Sequence, residues 1–179
     1  MEKIKEFINF CDDAHAKSNF LTYHQECPAL NSYQLSMLSL FPFEEDERLI
    51  SSFVYGKFRK VVPNCGTTSA LLLYCAWKLS YNEKCVIVYL SDEVEFTSAK
   101  FHELDKTILG GRSFGSARGK YTYAYANGSV LYFRTKDQFP ITSNGTVINY
   151  GIVDNVHGDI KIVEHMNAEN YIIFQPSKE

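Results

Sequence analysis

Residues 61–79, VVPNCGTTSALLLYCAWKL, decide how the rest of the chain is read. The stretch opens on Val61 and Val62, turns at Gly66, and runs on through Ala70, Leu71, Leu72, Leu73, Tyr74, Ala76, Trp77 and Leu79. β-Branched residues suit a strand, glycine suits a tight turn, and a run that is apolar nearly all round suits a buried helix. Strand, glycine turn and buried helix in that order form the layout of a phosphate-binding loop. Such loops carry a lysine straight after the glycine. Here the residue after Gly66 is Thr67.

Downstream, residues 85–90, CVIVYL, are a continuous apolar run of strand length. Runs of this kind belong to strands covered on both faces, usually parallel ones. Ser91-Asp92-Glu93 then offers a cap and first-turn acids for a helix. Phe101, Leu104 and Ile108 keep helical spacing along it, and Gly110-Gly111 ends it. Residues 121–126 and 130–135 flank Asn127-Gly128, a strong hairpin signal. Residues 147–154, VINYGIVD, read as an apolar strand finishing in an acid, and 171–174, YIIF, as a last strand.

Upstream, residues 2–17 predict an amphipathic helix with Ile4, Phe7, Ile8 and Cys11 on one face. Residues 18–30 are irregular, and 31–40 predict a helix capped by Asn31 or Ser32. The acidic run 44–48 reads as a solvated loop or helix start, and 53–62 leads into a strand. The order strand, helix, strand, helix, hairpin, strand, strand predicts an α/β layered domain over residues 31–179. Its sheet is mainly parallel with an antiparallel hairpin insert, and a helical arm over 1–30 precedes it.

The chain has 179 residues, 45% of them apolar and 15% aromatic, which is enough for one sizeable core. A net charge of −3 gives no general attraction to nucleic acid, so DNA contact requires a local patch. The opening MEKIKEFINF is charged and amphipathic, unlike a secretory signal, and no apolar run approaches membrane-spanning length. The five cysteines include no CxxC pair and share no metal-ligand spacing with the histidines, so reduced thiols and no structural metal are expected. Asn127-Gly-Ser and Asn144-Gly-Thr match the glycosylation sequon but read as turns.

Taken together, these pieces resemble the ATPase domain of the large terminase subunit, the DNA-packaging motor of tailed phages and herpesviruses. The resemblance covers about residues 31–177. It is carried by VVPNCGTTSALLLYCAWKL, CVIVYL, the helix over 94–108, ANGSVLYFRT, and INYGIVDNVHGDI. It implies a three-layer P-loop NTPase-like fold, with Gly66, Thr67, Thr68 and Asp154 as the nucleotide and magnesium positions and Gln34 as the adenine reader. The family's loop reads approximately Arg-Gln-x-Gly-Lys-Thr/Ser, whereas this one reads Pro63, Asn64, Cys65, Gly66, Thr67, Thr68. The family's strand ends Asp-Glu, whereas this one ends Asp154-Asn155. The family's following nuclease domain has no counterpart before Glu179.

Phosphoryl transfer depends on positioning and charge stabilisation. Thr67 donates one hydrogen bond but carries no charge, and Asn155 cannot accept a proton from water. The expectation is a pseudo-ATPase that acts by binding in an infected host cell, with no cofactor unless the vestigial site still takes ATP and magnesium. A weakly active packaging ATPase is the nearest alternative. The expected partner is a protein, with Tyr121, Tyr123, Tyr125, Tyr132, Phe20 and Tyr23 as candidate anchors. DNA is a second possible partner, through Arg112, Arg118 and Lys120 in the loop GGRSFGSARGK. A different class remains open: Cys65 before a helix N-terminus and His157 after a later strand fit a cysteine hydrolase or transferase. In that reading Asp154 and His157 lie too close in sequence to form the usual separate-strand pair.

Overall fold

In a computed structural model, residues 2–17, 30–41, 43, 66–110, 121–138, 147–157, 166 and 168–174 are described. The stretches leading into Gly66 and the basic loop at 111–120 lie outside them, and so do Cys65, Arg112, Arg118, Lys120, Phe20 and Tyr23.

Four α-helices are described: α1 (Glu2–Lys17), α2 (Ser32–Met37), α3 (Thr67–Tyr81) and α4 (Val94–Thr107). The strands are β1 (Val86–Ser91), β2 (Thr122–Ala124), β3 (Val130–Arg134), β4 (Ile148–Asp154) and β5 (Ala168–Phe174). They form one five-stranded sheet in the order β2-β3-β1-β4-β5. β1 runs parallel to both β3 and β4, and β4 runs parallel to β5. The β2–β3 pair is antiparallel. This is the mostly parallel α/β sheet with an antiparallel insert that the apolar runs and Asn127-Gly128 predict.

The register sets the carboxyl ends of the parallel strands level with one another. Leu90 lies opposite Arg134, Ser91 opposite Asp154, and Asp154 opposite Phe174. Chains leave the sheet along this edge, where α/β proteins assemble their binding sites.

One face of the sheet carries the main core. α3 lies in it with every residue from Ala70 to Leu79 buried, as its apolar surface requires. Phe7 of α1 joins Phe41, Phe43, Tyr74 and Trp77 in an aromatic cluster with ring centroids 5.0 to 6.4 Å apart. The first helix is thus packed into the same core as α3. Even Lys78 is buried, with its ammonium 4.7 Å from the Tyr150 ring centroid and 5.0 Å from that of Trp77. A ring face offers negative charge to a buried cation. On the opposite face Val88, Leu90, Val153, Val156, Met166 and Ile173 form a smaller cluster. Gly151 makes room there, since a Cβ at that position would overlap the Met166 sulfur.

The hairpin is anchored at its turn. Asn127 donates from Nδ2 to the Leu79 and Asn82 carbonyls at 3.0 and 3.1 Å, closing the end of α3. Its Oδ1 accepts from the Ser129 amide at 3.0 Å. The asparagine of this sequon is therefore a structural residue of the turn.

The alternating hairpin tyrosines do lie on one side, but that side faces α4. Tyr121 donates to Glu95 at 2.8 Å, Tyr123 to the Ser98 carbonyl at 3.1 Å, and Tyr125 to Asp105 at 2.9 Å. All three rings pack against the main core, so they are not free anchors for a partner. Period-two alternation fixes that they share a face, but which side is buried depends on where α4 lands.

Candidate functional site

Gly66 precedes α3 with φ of +79°. Glycine adopts that left-handed backbone without cost, and no side chain caps the helix behind it. The first intrahelical bond runs from the Ala70 amide to the Gly66 carbonyl at 3.0 Å. The amides of Thr67, Thr68 and Ser69 therefore have no acceptor within the helix. The Thr67 hydroxyl is buried and has no hydrogen-bond partner among the described residues.

Gln34 locks this turn from the side. Asn31 caps α2 by accepting from the Gln34 amide at 2.9 Å, and Gln34 Oε1 accepts from the Asn31 amide at 2.8 Å. This reciprocal box turns the Gln34 amide toward Gly66, where Nε2 donates to the carbonyl at 2.9 Å. A Cβ on Gly66 would come within 2.5 Å of that nitrogen. The residue read from the sequence as an adenine contact is here a brace for the glycine turn. One amide proton and one oxygen lone pair of Gln34 remain beyond these bonds.

Thr68 donates from Oγ1 to Asp154 Oδ2 at 2.7 Å, across 86 positions of sequence. Tyr89, central in β1, donates its hydroxyl to the same oxygen at 2.7 Å. Asp154 is only 3% exposed. Burial pushes its carboxyl above the ordinary value, the two hydroxyl donors pull the other way, and Glu93 adds a like charge nearby. Lys100 of α4 lowers it again. The ammonium of Lys100 reaches Ser69 Oγ in the first turn of α3 at 3.4 Å and lies 5.0 Å from the Phe96 ring. Gln34, Gly66, Thr67, Thr68 and Asp154 thus gather at one corner, with Tyr89, Ser69 and Lys100 added by the fold.

Tyr89 carries a sequence signal, because a tyrosine inside an apolar parallel strand needs a partner for its hydroxyl. Lys100 carries none beyond its place on a helix.

Asn155, where the resembled family has glutamate, takes φ of +54° and donates its amide to the Phe174 carbonyl at 3.0 Å. Asparagine tolerates this left-handed backbone better than most residues. Asparagine suits the sharp exit from β4.

His157 turns to an acid other than Asp154, its near neighbour in sequence. Asp92, just past β1, accepts from the His157 amide at 2.8 Å and lies 3.0 Å from Nδ1. Lys136 donates to the His157 carbonyl at 3.2 Å. The imidazole is 69% exposed. The described cysteines, Cys11, Cys75 and Cys85, are free and buried. Burial raises all three thiols, Cys85 to about 11, so none of these carries a ready thiolate.

No group of three or more metal-ligating side chains occurs among the described residues. No described helix is long and apolar enough to cross a membrane. No family model matches the chain, and no curated protein or solved structure matches it either.

Proposed function

We propose that this chain is a P-loop-type, three-layer nucleotide-binding domain that has lost turnover and acts by binding, as an accessory of genome packaging or handling. The observation that carries the reading is the 2.7 Å bond between Thr68 in the first turn of α3 and Asp154 at the end of β4. In a phosphate-binding loop the hydroxyl after the lysine position and the strand-end aspartate share a magnesium ion. The two residues that the resemblance assigns to that ion touch each other directly. Gly66 with its left-handed backbone and the uncapped amides behind it supply the phosphate side.

The chemistry is incomplete in two places. Thr67 brings no charge to the β and γ oxygens, and Asn155 offers no proton acceptor to the attacking water. Binding without hydrolysis follows. The resemblance to the large terminase subunit motor domain supplies the setting, and a protein partner or DNA supplies the output.

The test is phosphate release in magnesium-ATP by the natural chain and by Asp154→Ala. The proposal expects no release from either above the uncatalysed background. Release by the natural chain that Asp154→Ala abolishes would make it an active ATPase and overturn the reading.

One observation favours a second reading. The His157 ring is oriented through Nδ1 by Asp92, as a general base is oriented by its acid. If Cys65 were the nucleophile, it would label rapidly with iodoacetamide at neutral pH, and Cys65→Ser would remove the activity.

A further inference from the structure

Neighbouring parallel strands each deliver one reactive side chain just past their carboxyl ends. Asp92 follows β1, Lys136 follows β3 and His157 follows β4. β1 lies between the other two in the sheet. From β1 the chain passes through α4 to the β2–β3 side, whereas from β4 it goes to β5 on the other side. Open α/β sheets bind ligands in the crevice at the carboxyl ends where connections diverge in this way. The contact between Asp92 and His157 spans that crevice.

The geometry fixes the state of the ring. Asp92 Oδ2 holds both the His157 amide and Nδ1. A carboxylate can only accept, so Nδ1 is the donor, and in the neutral ring Nε2 carries the free lone pair. The imidazole is exposed, and Nε2 has no hydrogen-bond partner among the described residues. Lys136 spends one ammonium proton on the His157 carbonyl and keeps two more. An exposed pair of this kind adds little to folding, whereas an oriented imidazole with an open Nε2 is the form that a general base takes.

We propose that His157, oriented by Asp92, is the general base of a hydrolytic centre for small uncharged carboxylic esters. This goes beyond the nucleotide reading and uses neither the Gly66 turn nor Cys65. Water attacks the ester carbonyl carbon and gives its proton to Nε2. The negative charge that develops on the carbonyl oxygen meets the Lys136 ammonium. The carbon–oxygen bond to the alcohol then breaks, the alcohol leaves with the proton from Nε2, and the ring returns to its neutral form. Asp92, Glu93 and Asp154 line the same edge, so an anionic substrate is repelled and an uncharged ester is admitted.

The experiment follows p-nitrophenyl acetate hydrolysis by the natural chain, by the same chain unfolded in denaturant, and by His157→Gln, Asp92→Ala, Lys136→Met and Cys65→Ser. The unfolded chain presents all five histidines as free imidazoles and sets the background. The natural chain should exceed that background by roughly a hundredfold, and His157→Gln should fall to it. Asp92→Ala, which removes a positioning residue, should lower kcat about tenfold or more with KM unchanged. Lys136→Met should act in the same direction, and Cys65→Ser should keep the natural rate. Melting temperatures should stay within a few degrees of the natural chain, since these side chains are exposed or partly so. A natural chain no faster than the unfolded one, or His157→Gln at the natural rate, would overturn the proposal. A burst of p-nitrophenol before the steady rate would mean that a side chain is acylated, and would overturn the role of water. Loss of activity in Cys65→Ser would do the same in favour of the thiol.

Discussion

Thr68→Val, alone and combined with Asp154→Asn, tests the contact on which the site depends. In the natural chain Asp154 Oδ2 accepts from Thr68 and Tyr89, both at 2.7 Å, inside a nearly closed environment. Valine keeps the shape of threonine and removes one donor. A hydrogen bond to a charged acceptor contributes roughly 1.5–3 kcal/mol when buried. Thr68 is partly exposed, so water replaces some of the loss and about 1–2 kcal/mol is the fair figure. For a chain of this length that is a fall of roughly 3–6 °C in Tm at neutral pH. Asp154→Asn should behave oppositely. The Asp154 carboxyl is raised by burial, so the folded state binds its proton more tightly than the unfolded state. That contribution to stability is fully present below the unfolded pKa and is lost as pH rises through the folded one. Asparagine does not titrate, so the variant should gain on the natural chain as pH rises. In the Asp154→Asn background the Thr68→Val penalty should shrink, because a neutral acceptor holds a hydroxyl less strongly. The assay is a double-mutant cycle by chemical denaturation, at neutral pH and again near pH 4. An equal Thr68→Val penalty in both backgrounds at both pH values would refute the coupling.

Three further outcomes follow from the same geometry. Gly66→Ala should cost about 1 kcal/mol for the left-handed backbone alone. It should cost more because Gln34 must move, and Gln34→Ala should offset part of the second loss in the double variant, read by thermal melting. Asn127→Ala should lower Tm measurably, since both carbonyls that it closes at the end of α3 lose a donor; the assay is again thermal melting. Asn155→Glu should be destabilised by about 1 kcal/mol from its backbone alone and should release no phosphate from magnesium-ATP, because the loop charge is still missing.

The elements legible in the sequence were those with one strong local cause. The apolar surface of α3, the continuous run of β1 and Asn127-Gly128 each leave little choice of structure. Asn31 acts as the cap of α2, as its position suggested. Boundaries were less legible. Ser91, read as a helix cap, ends β1 and accepts from the Glu93 amide at 3.1 Å, and α4 starts at Val94. β5 begins at Ala168, three residues before its apolar run, because pairing with β4 extends through Asn170. At the site, Gly66, Thr68 and Asp154 were marked by motif position, but their contacts were not. The partner of Asp154 in β1, the brace made by Gln34 and the approach of Lys100 all depend on how separate elements meet. Asn155 shows the limit most plainly: its residue type reads as a lost acid, while its positive φ shows a backbone demand.

The most direct measurement of the central claim is a thermal-shift titration with magnesium-ATP. If the cradle still holds nucleotide, Tm rises with ligand and keeps rising logarithmically past saturation. At a hundredfold excess over the dissociation constant the gain is about 2.7 kcal/mol, or roughly 5–11 °C. A Tm that stays flat into the millimolar range, with or without magnesium, would contradict it.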